Sequence, residues 1–142
     1  HHRRPKDGGC YNMKVIWTNG CFDILHRGHI ELFKYAKSLG DWLVVGIDTD
    51  ERVKASKGPS RPFNTIEDRI AILESIKYID EIYVFDTNSE LDTQVLLSGA
   101  EIMVVGSDYR NKKVIGRRHA QKVKFFDRIK GYSTTNILVG LQ

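Results

Sequence analysis

Five short runs of β-branched and aromatic residues recur along the chain: Lys14–Thr18, Trp42–Asp48, Glu81–Phe85, Glu101–Gly106 and Lys122–Phe126. They are continuously apolar rather than alternating, the pattern of strands covered on both faces in a parallel sheet. The spacers between them carry a helical period. From His29 to Leu39, the residues Leu32, Ala36 and Leu39 fall on one face and Gly40 supplies the stop. From Asn64, Glu67 completes a capping box three residues on, and Ile66, Ile70, Leu73 and Ile76 form an apolar stripe to about Tyr78. Leu91, Val95 and Leu96 repeat the pattern ahead of Gly99, and a last helix is expected from Ser133–Thr135 to the C-terminus. The segment Lys54–Phe63, punctuated by Gly58, Pro59 and Pro62, reads as a mobile loop. Strand alternating with helix predicts an α/β fold: a Rossmann-like, doubly wound, five-stranded parallel sheet with helices on both faces and right-handed crossovers. Ligands in such a fold bind beyond the carboxyl ends of the strands, near the switch point.

The 142 residues, 41% hydrophobic and 28% charged, suit one domain with one real core. Residues 1–12 read as a disordered leader or expression remnant, and 13–142 as the functional domain. The longest apolar run is the six residues Trp42–Ile47, far short of the ~20 that a membrane helix needs. The first ten residues have no apolar h-region, so no secretory signal is expected. Cys10 and Cys21 are too few for a disulfide framework or a paired-cysteine metal site, which points to the cytoplasm. The net charge of +4 invites a nucleic-acid reading, but the charge is segregated. Residues 13–109 carry −6, whereas residues 110–130 hold nine basic groups against Asp127 alone.

The first strand runs through Thr18-Asn19-Gly20-Cys21-Phe22-Asp23-Ile24-Leu25-His26-Arg27-Gly28-His29 straight into an amphipathic helix. Gly20 permits a sharp turn at the strand end, and Gly28 removes a side chain where a phosphate would approach the backbone. His26 and His29, three residues apart at a helix start, point to one side, where free N–H groups and positive potential favour an anion. Two histidines there suit hydrogen bonding to phosphoryl oxygens, although the same pattern also serves simply to cap a helix. The dinucleotide glycine fingerprint, the GK[ST] P-loop and HExxH are all absent. This argues against a conventional NAD enzyme, a P-loop ATPase or a zinc protease.

Gly20-Cys21-Phe22-Asp23-Ile24-Leu25-His26-Arg27-Gly28-His29 resembles the GxFDxLHxGH signature of the cytidylyltransferase-like nucleotidyltransferases, and Gly131-Tyr132-Ser133-Thr134-Thr135 resembles their GxSTT signature. The resemblance runs from about Met13 to Ile137 and implies an enzyme that moves a nucleotidyl group from a nucleoside triphosphate to a phosphorylated small molecule, assisted by Mg²⁺. It implies catalytic roles for His26, His29, Lys57 and Arg128. Nucleotide contacts are expected from Thr18, Asn19, Gly20, Cys21, Phe22, Asp23, Gly28, Gly106, Asp108, Ser133, Thr134 and Thr135. Lys54 and Arg69 are expected at the acceptor phosphate, and Asp23 orders its loop or assists Mg²⁺.

Two branches of the family compete. Lys54-x-x-Lys57-Gly58-x-Ser60-Arg61-Pro62-x-Asn64 with Glu67 and Arg69, and Gly106-x-Asp108-Tyr109, resemble the adenylyltransferase domain that makes ADP-heptose. Arg128-x-x-Gly131-x-Ser133-Thr134-Thr135 and Glu74–Glu81 resemble glycerol-3-phosphate cytidylyltransferase. The loop spans more positions, so ATP and a heptose 1-phosphate-like acceptor are preferred. The heptose branch often carries a kinase domain; 142 residues leave no room for one, and a separate kinase is expected to supply the acceptor. A homodimer is expected, and a membrane or nucleic-acid partner is not. The competing classes are a nucleic-acid-binding module using residues 110–130 and a catalytically dead sensor on the same fold.

Overall fold

The computed structural model describes Arg4 and residues 13–127. Five strands form one parallel sheet: β1 (Val15–Gly20), β2 (Trp42–Asp48), β3 (Glu81–Phe85), β4 (Ile102–Gly106) and β5 (Lys122–Phe126). Their spatial order is β3-β2-β1-β4-β5 with every pairing parallel, so the chain winds outward from β1 in one direction and then returns to wind in the other. The predicted doubly wound α/β fold is the one observed. Continuous apolar runs mark the strands because the two central ones, β1 and β2, are buried on both sides.

Four helices are described: α1 (Arg27–Ser38), α2 (Asp50–Lys57), α3 (Ile66–Glu74) and α4 (Asn88–Ser98). One face of the sheet packs Ile16, Leu43, Val45 and Ile47 against Phe33 and Ala36 of α1 and Leu73 of α3. The other packs Trp17, Val44 and Phe85 against Leu91 and Val95 of α4. Gly46 admits the Trp17 indole on this second face, for a Cβ there would lie 2.6 Å from the ring.

Three expectations need correction. The first four residues of the predicted Lys54–Phe63 loop form the last turn of the helix α2, which is capped by the Thr49 side chain accepting from Arg52 N–H. Val53 is its one buried residue, so the apolar periodicity that marks the other helices is missing. α3 starts from Thr65, whose side chain accepts from Asp68 N–H, rather than from an Asn64–Glu67 box, because Asn64 is engaged with Asp23. On α4, Leu91 and Val95 are buried, whereas Leu96 is 55% exposed and lies off the stripe. The predicted last helix lies outside the described residues.

Candidate active site

The sheet opens at its switch point. β1 is in register with β2 along its whole length, from Val15↔Trp42 to Gly20↔Ile47, but with β4 only at Ile16↔Ile102 and Trp17↔Met103. Past these pairs, the buried Thr18 hydroxyl donates to the Val104 carbonyl at 2.8 Å and bridges the parting strands. A cavity of about 800 Å³ occupies the space beyond. It brings together Thr18–Phe22, His26, Gly28 and His29 from the first strand and its turn, Lys57 from α2, Gly106 at the end of β4 and Asp108 just after it.

His26 is the N-cap of α1, and its Nδ1 accepts from Gly28 N–H at 3.0 Å. His29 reaches back, its Nδ1 accepting from His26 N–H at 3.2 Å. This is a capping box built from two imidazoles. The rings stack at 3.9 Å between centroids, and Phe22 meets His29 edge-on at 5.6 Å. Phe22 reaches that position through a left-handed backbone, φ 45°. Because Nδ1 accepts in both rings, the proton of the neutral tautomer sits on Nε2 in each. Asn19 is oriented similarly: its Oδ1 takes the Trp17 indole N–H at 2.9 Å, which turns its amide group towards donation.

Asp23 and Arg69, both expected to meet ligand, are absent from the cavity wall and tie the site together instead. The buried Asp23 carboxylate accepts from Phe63 N–H and Arg61 Nε on one oxygen, at 2.7 and 3.0 Å, and from Asn64 N–H on the other at 2.7 Å. Its carbonyl accepts from Asn64 Nδ2 at 2.8 Å. With donors on both oxygens, the carboxylate does not fit the expected alternative role as a Mg²⁺ ligand. It orders the loop after α2 and holds Arg61, which does line the cavity. Arg69 is fully buried; its guanidinium donates to the carbonyls of Cys21 and Asp48, at 2.9 and 2.8 Å, and to Asp50 Oδ1 at 2.6 Å. The expected acceptor-phosphate contact is therefore closed to it. Lys54 is exposed on α2 and also stands off the cavity wall. Arg128, Ser133, Thr134 and Thr135 lie outside the described residues.

Several cavity residues were not among the site candidates read from the sequence: Asp48, Arg52, Phe85, Leu91 and Lys113. The β2 and β3 ends place Asp48 beside Phe85 in register, and Arg52 lies over the Phe85 ring at 5.2 Å. Burial pushes the Asp48 carboxyl above its usual range, opposed by Arg52, Arg69 and Lys57. The basic segment is divided among separate tasks. Arg110 covers Phe125 at 4.8 Å, Lys112 lies over Tyr109 at 5.4 Å, Arg118 pairs with Asp92 at 3.0 Å, and Lys113 lines the cavity. Among the described residues, no group of three His, Cys, Asp or Glu side chains is placed to hold a metal ion, and no helix is long and apolar enough to cross a membrane.

A helix N-terminus at the switch point of a parallel sheet is the place where α/β proteins of the doubly wound class receive anionic ligands. The chain belongs to the cytidylyltransferase-like family, whose model matches residues 17–138. It is 44% identical over 124 residues to the bifunctional protein HldE of Campylobacter fetus, a match covering 87% of this chain and 27% of that protein. It is 40% identical over 136 residues to the bifunctional protein HldE of Sulfurimonas denitrificans, covering 96% of this chain and 28% of that one. The chain thus spans about a quarter of the length of these curated relatives. The crystal structure of a lipopolysaccharide core biosynthesis protein from Thermoplasma volcanium is similar, with a TM-score of 0.66 and 26% identity, covering 86% of this chain and all of that one.

Proposed function

We propose that the chain transfers AMP from Mg²⁺-bound ATP to the phosphate of a heptose 1-phosphate-like sugar, releasing pyrophosphate. The carrying observation is the reciprocal cap of His26 and His29, which fixes both imidazole rings at the N-terminus of α1 on the cavity wall. In the reaction, an oxygen of the acceptor phosphate forms a bond to the α-phosphorus as the bond to the bridging β-oxygen breaks. The electron pair leaves on pyrophosphate. The acceptor is already a nucleophilic anion, so no general base is needed, and catalysis consists of alignment and charge neutralisation. His26 and His29 hydrogen-bond the triphosphate, with Lys57 and the Asp23-held Arg61 neutralising charge that builds at the α-phosphate and the leaving group. Gly106 and Asp108 face the nucleoside. Mg²⁺ enters as part of the nucleotide substrate, where it neutralises phosphate charge; the donor set of Asp23 fits a loop clasp and not a metal ligand.

The preference for ATP and a heptose phosphate draws support from the loop Lys54–Asn64 and from relatives that are bifunctional HldE proteins. The proposed setting is the cytoplasm, where nucleoside triphosphates are supplied. Pyrophosphate release, measured with ATP and CTP each crossed against heptose 1-phosphate and glycerol 3-phosphate, tests the reading. ATP with heptose 1-phosphate should be the productive pair. Turnover confined to CTP with glycerol 3-phosphate would move the chain to the other branch, and no turnover with any pair would refute both.

A further inference from the structure

Side chains alternate across a strand, so the cavity has two sides. Ile16, Val45 and Ile47 face α1, whereas Trp17 and Val44 face α4. The same alternation carries Asn19 and Asp48 to the α4 side at the ends of β1 and β2, with Asp48 in register with Phe85. The histidine pair stands at the N-terminus of α1, on the opposite side. An in-line displacement places attacking oxygen and leaving group on opposite sides of the phosphorus. If pyrophosphate is held at α1, the acceptor approaches from the α4 side; this step rests on the transfer reaction proposed above.

The α4 side is built for a small polar molecule with an apolar face. Phe85, Leu91, Val114 and Ile115 form an apolar wall, and Asp48 and Lys113 bring charge to it. Arg52 is already committed: Nη1 donates to the Asp86 carbonyl at 3.2 Å, Nη2 to Asn88 Oδ1 at 2.7 Å. Its Nε stands 3.6 Å from Asp48 Oδ1, a long contact that engages at most one of the carboxylate's acceptor sites and leaves the others able to accept. Lys113 is exposed and rides on a strap seated against α4. Arg118 and His119 meet Asp92 at 3.0 and 3.1 Å, and Gly116, at φ 89°, lies so close to Val95 that a Cβ would come within 2.7 Å of its methyl.

We propose that the α4 side is the acceptor subsite, where Lys113 binds the acceptor's phosphate and Asp48 accepts hydrogen bonds from its hydroxyl groups, selecting a polyhydroxylated sugar phosphate. The C–H face of a sugar suits the apolar wall, and its hydroxyls are the donors a carboxylate needs. The raised protonation range of Asp48 agrees with a carboxylate withdrawn from water, which gains most from donors that a ligand brings.

Calorimetric titrations with heptose 1-phosphate and, separately, with ATP test the subsite in the wild-type chain and in Asp48→Asn, Lys113→Ala and Lys113→Arg. Asp48→Asn and Lys113→Ala should each weaken heptose 1-phosphate binding about tenfold or more. Lys113→Arg should restore most of it, and ATP affinity should hold within about twofold throughout. ATP affinity falling in parallel, heptose 1-phosphate affinity unchanged in both variants, or a wild-type chain that binds ATP but no sugar phosphate would overturn the proposal. The expected binding pattern without pyrophosphate release from wild-type chain would support the subsite and refute the transfer reaction.

Discussion

In the proposed reaction His26 and His29 have two jobs: Nδ1 of each closes the helix end, and the rings so placed serve the triphosphate. The jobs are separable by substitution. Asparagine caps helices well, so His26→Asn should keep folding stability within about 0.5 kcal/mol, while His26→Ala should lose about 1 kcal/mol. Both should lower kcat/KM by about 10²-fold, the typical effect of one missing transition-state donor. Urea denaturation beside steady-state kinetics reads the two effects apart. Full activity in His26→Asn would confine this histidine to capping. Arg69 makes the opposite case. Its buried guanidinium joins the turn after β1, the end of β2 and the start of α2. Arg69→Ala should therefore destabilise the fold by about 3–5 kcal/mol, read from urea midpoints. A variant of wild-type stability that had lost only acceptor affinity would return Arg69 to the phosphate-binding role the sequence suggested.

β1 and β2 were legible because burial on both faces writes itself as an unbroken apolar run, the edge strands β3 and β5, only partly buried, from their β-branched and aromatic residues, and α1, α3 and α4 because each buries a stripe. α2 was not, because it rests on Val53 alone and its remaining surface is polar, which from sequence resembles a loop. The histidine turn was legible from its glycines and its place after a strand. The fates of Asp23 and Arg69 were not, since a carboxylate or guanidinium reads alike in sequence whether it meets ligand or a backbone. The pairing of Asp48 with Lys113 on one cavity was illegible for another reason: they lie far apart in the chain and come to the same cavity only through the fold. The strap that carries Lys113 gives its own test. Gly116→Ala forces a Cβ onto Val95 at a positive φ and should cost about 1–3 kcal/mol. It should also weaken heptose 1-phosphate binding although no charge is altered. A thermal melt and a titration together measure this; unchanged affinity in a clearly destabilised variant would detach the strap from the subsite.

The molecule keeps binding and anchoring at opposite ends of its sheet. At the carboxyl ends the strands part around the cavity; at the amino ends Glu81 gathers Arg4 and the Trp42 indole at 2.6 and 2.8 Å. Burial alone would raise the Glu81 carboxyl, but hydrogen bonds from Tyr83, Trp42 and Arg4 outweigh it and hold it below its ordinary 4.5. Burial and the bond to Glu81 push the Tyr83 hydroxyl up to about 12. A lowered carboxyl contributes stability that is present above the unfolded value and lost as pH falls through the folded one. The stability gap between wild type and Glu81→Gln should thus shrink on acidification below about pH 4.5, as followed by denaturant titrations across pH. A gap independent of pH would show that shape, not charge, governs this end.

In the proposed reaction the cavity end carries the chemistry and no group is left on the protein. Following ATP radiolabelled at the α-phosphate, together with Mg²⁺ and heptose 1-phosphate, tests this most directly. The expected result is label appearing in a nucleotide-linked sugar in step with pyrophosphate, dependent on the acceptor, with none retained on the chain. Label bound to protein, or released without an acceptor, would contradict it.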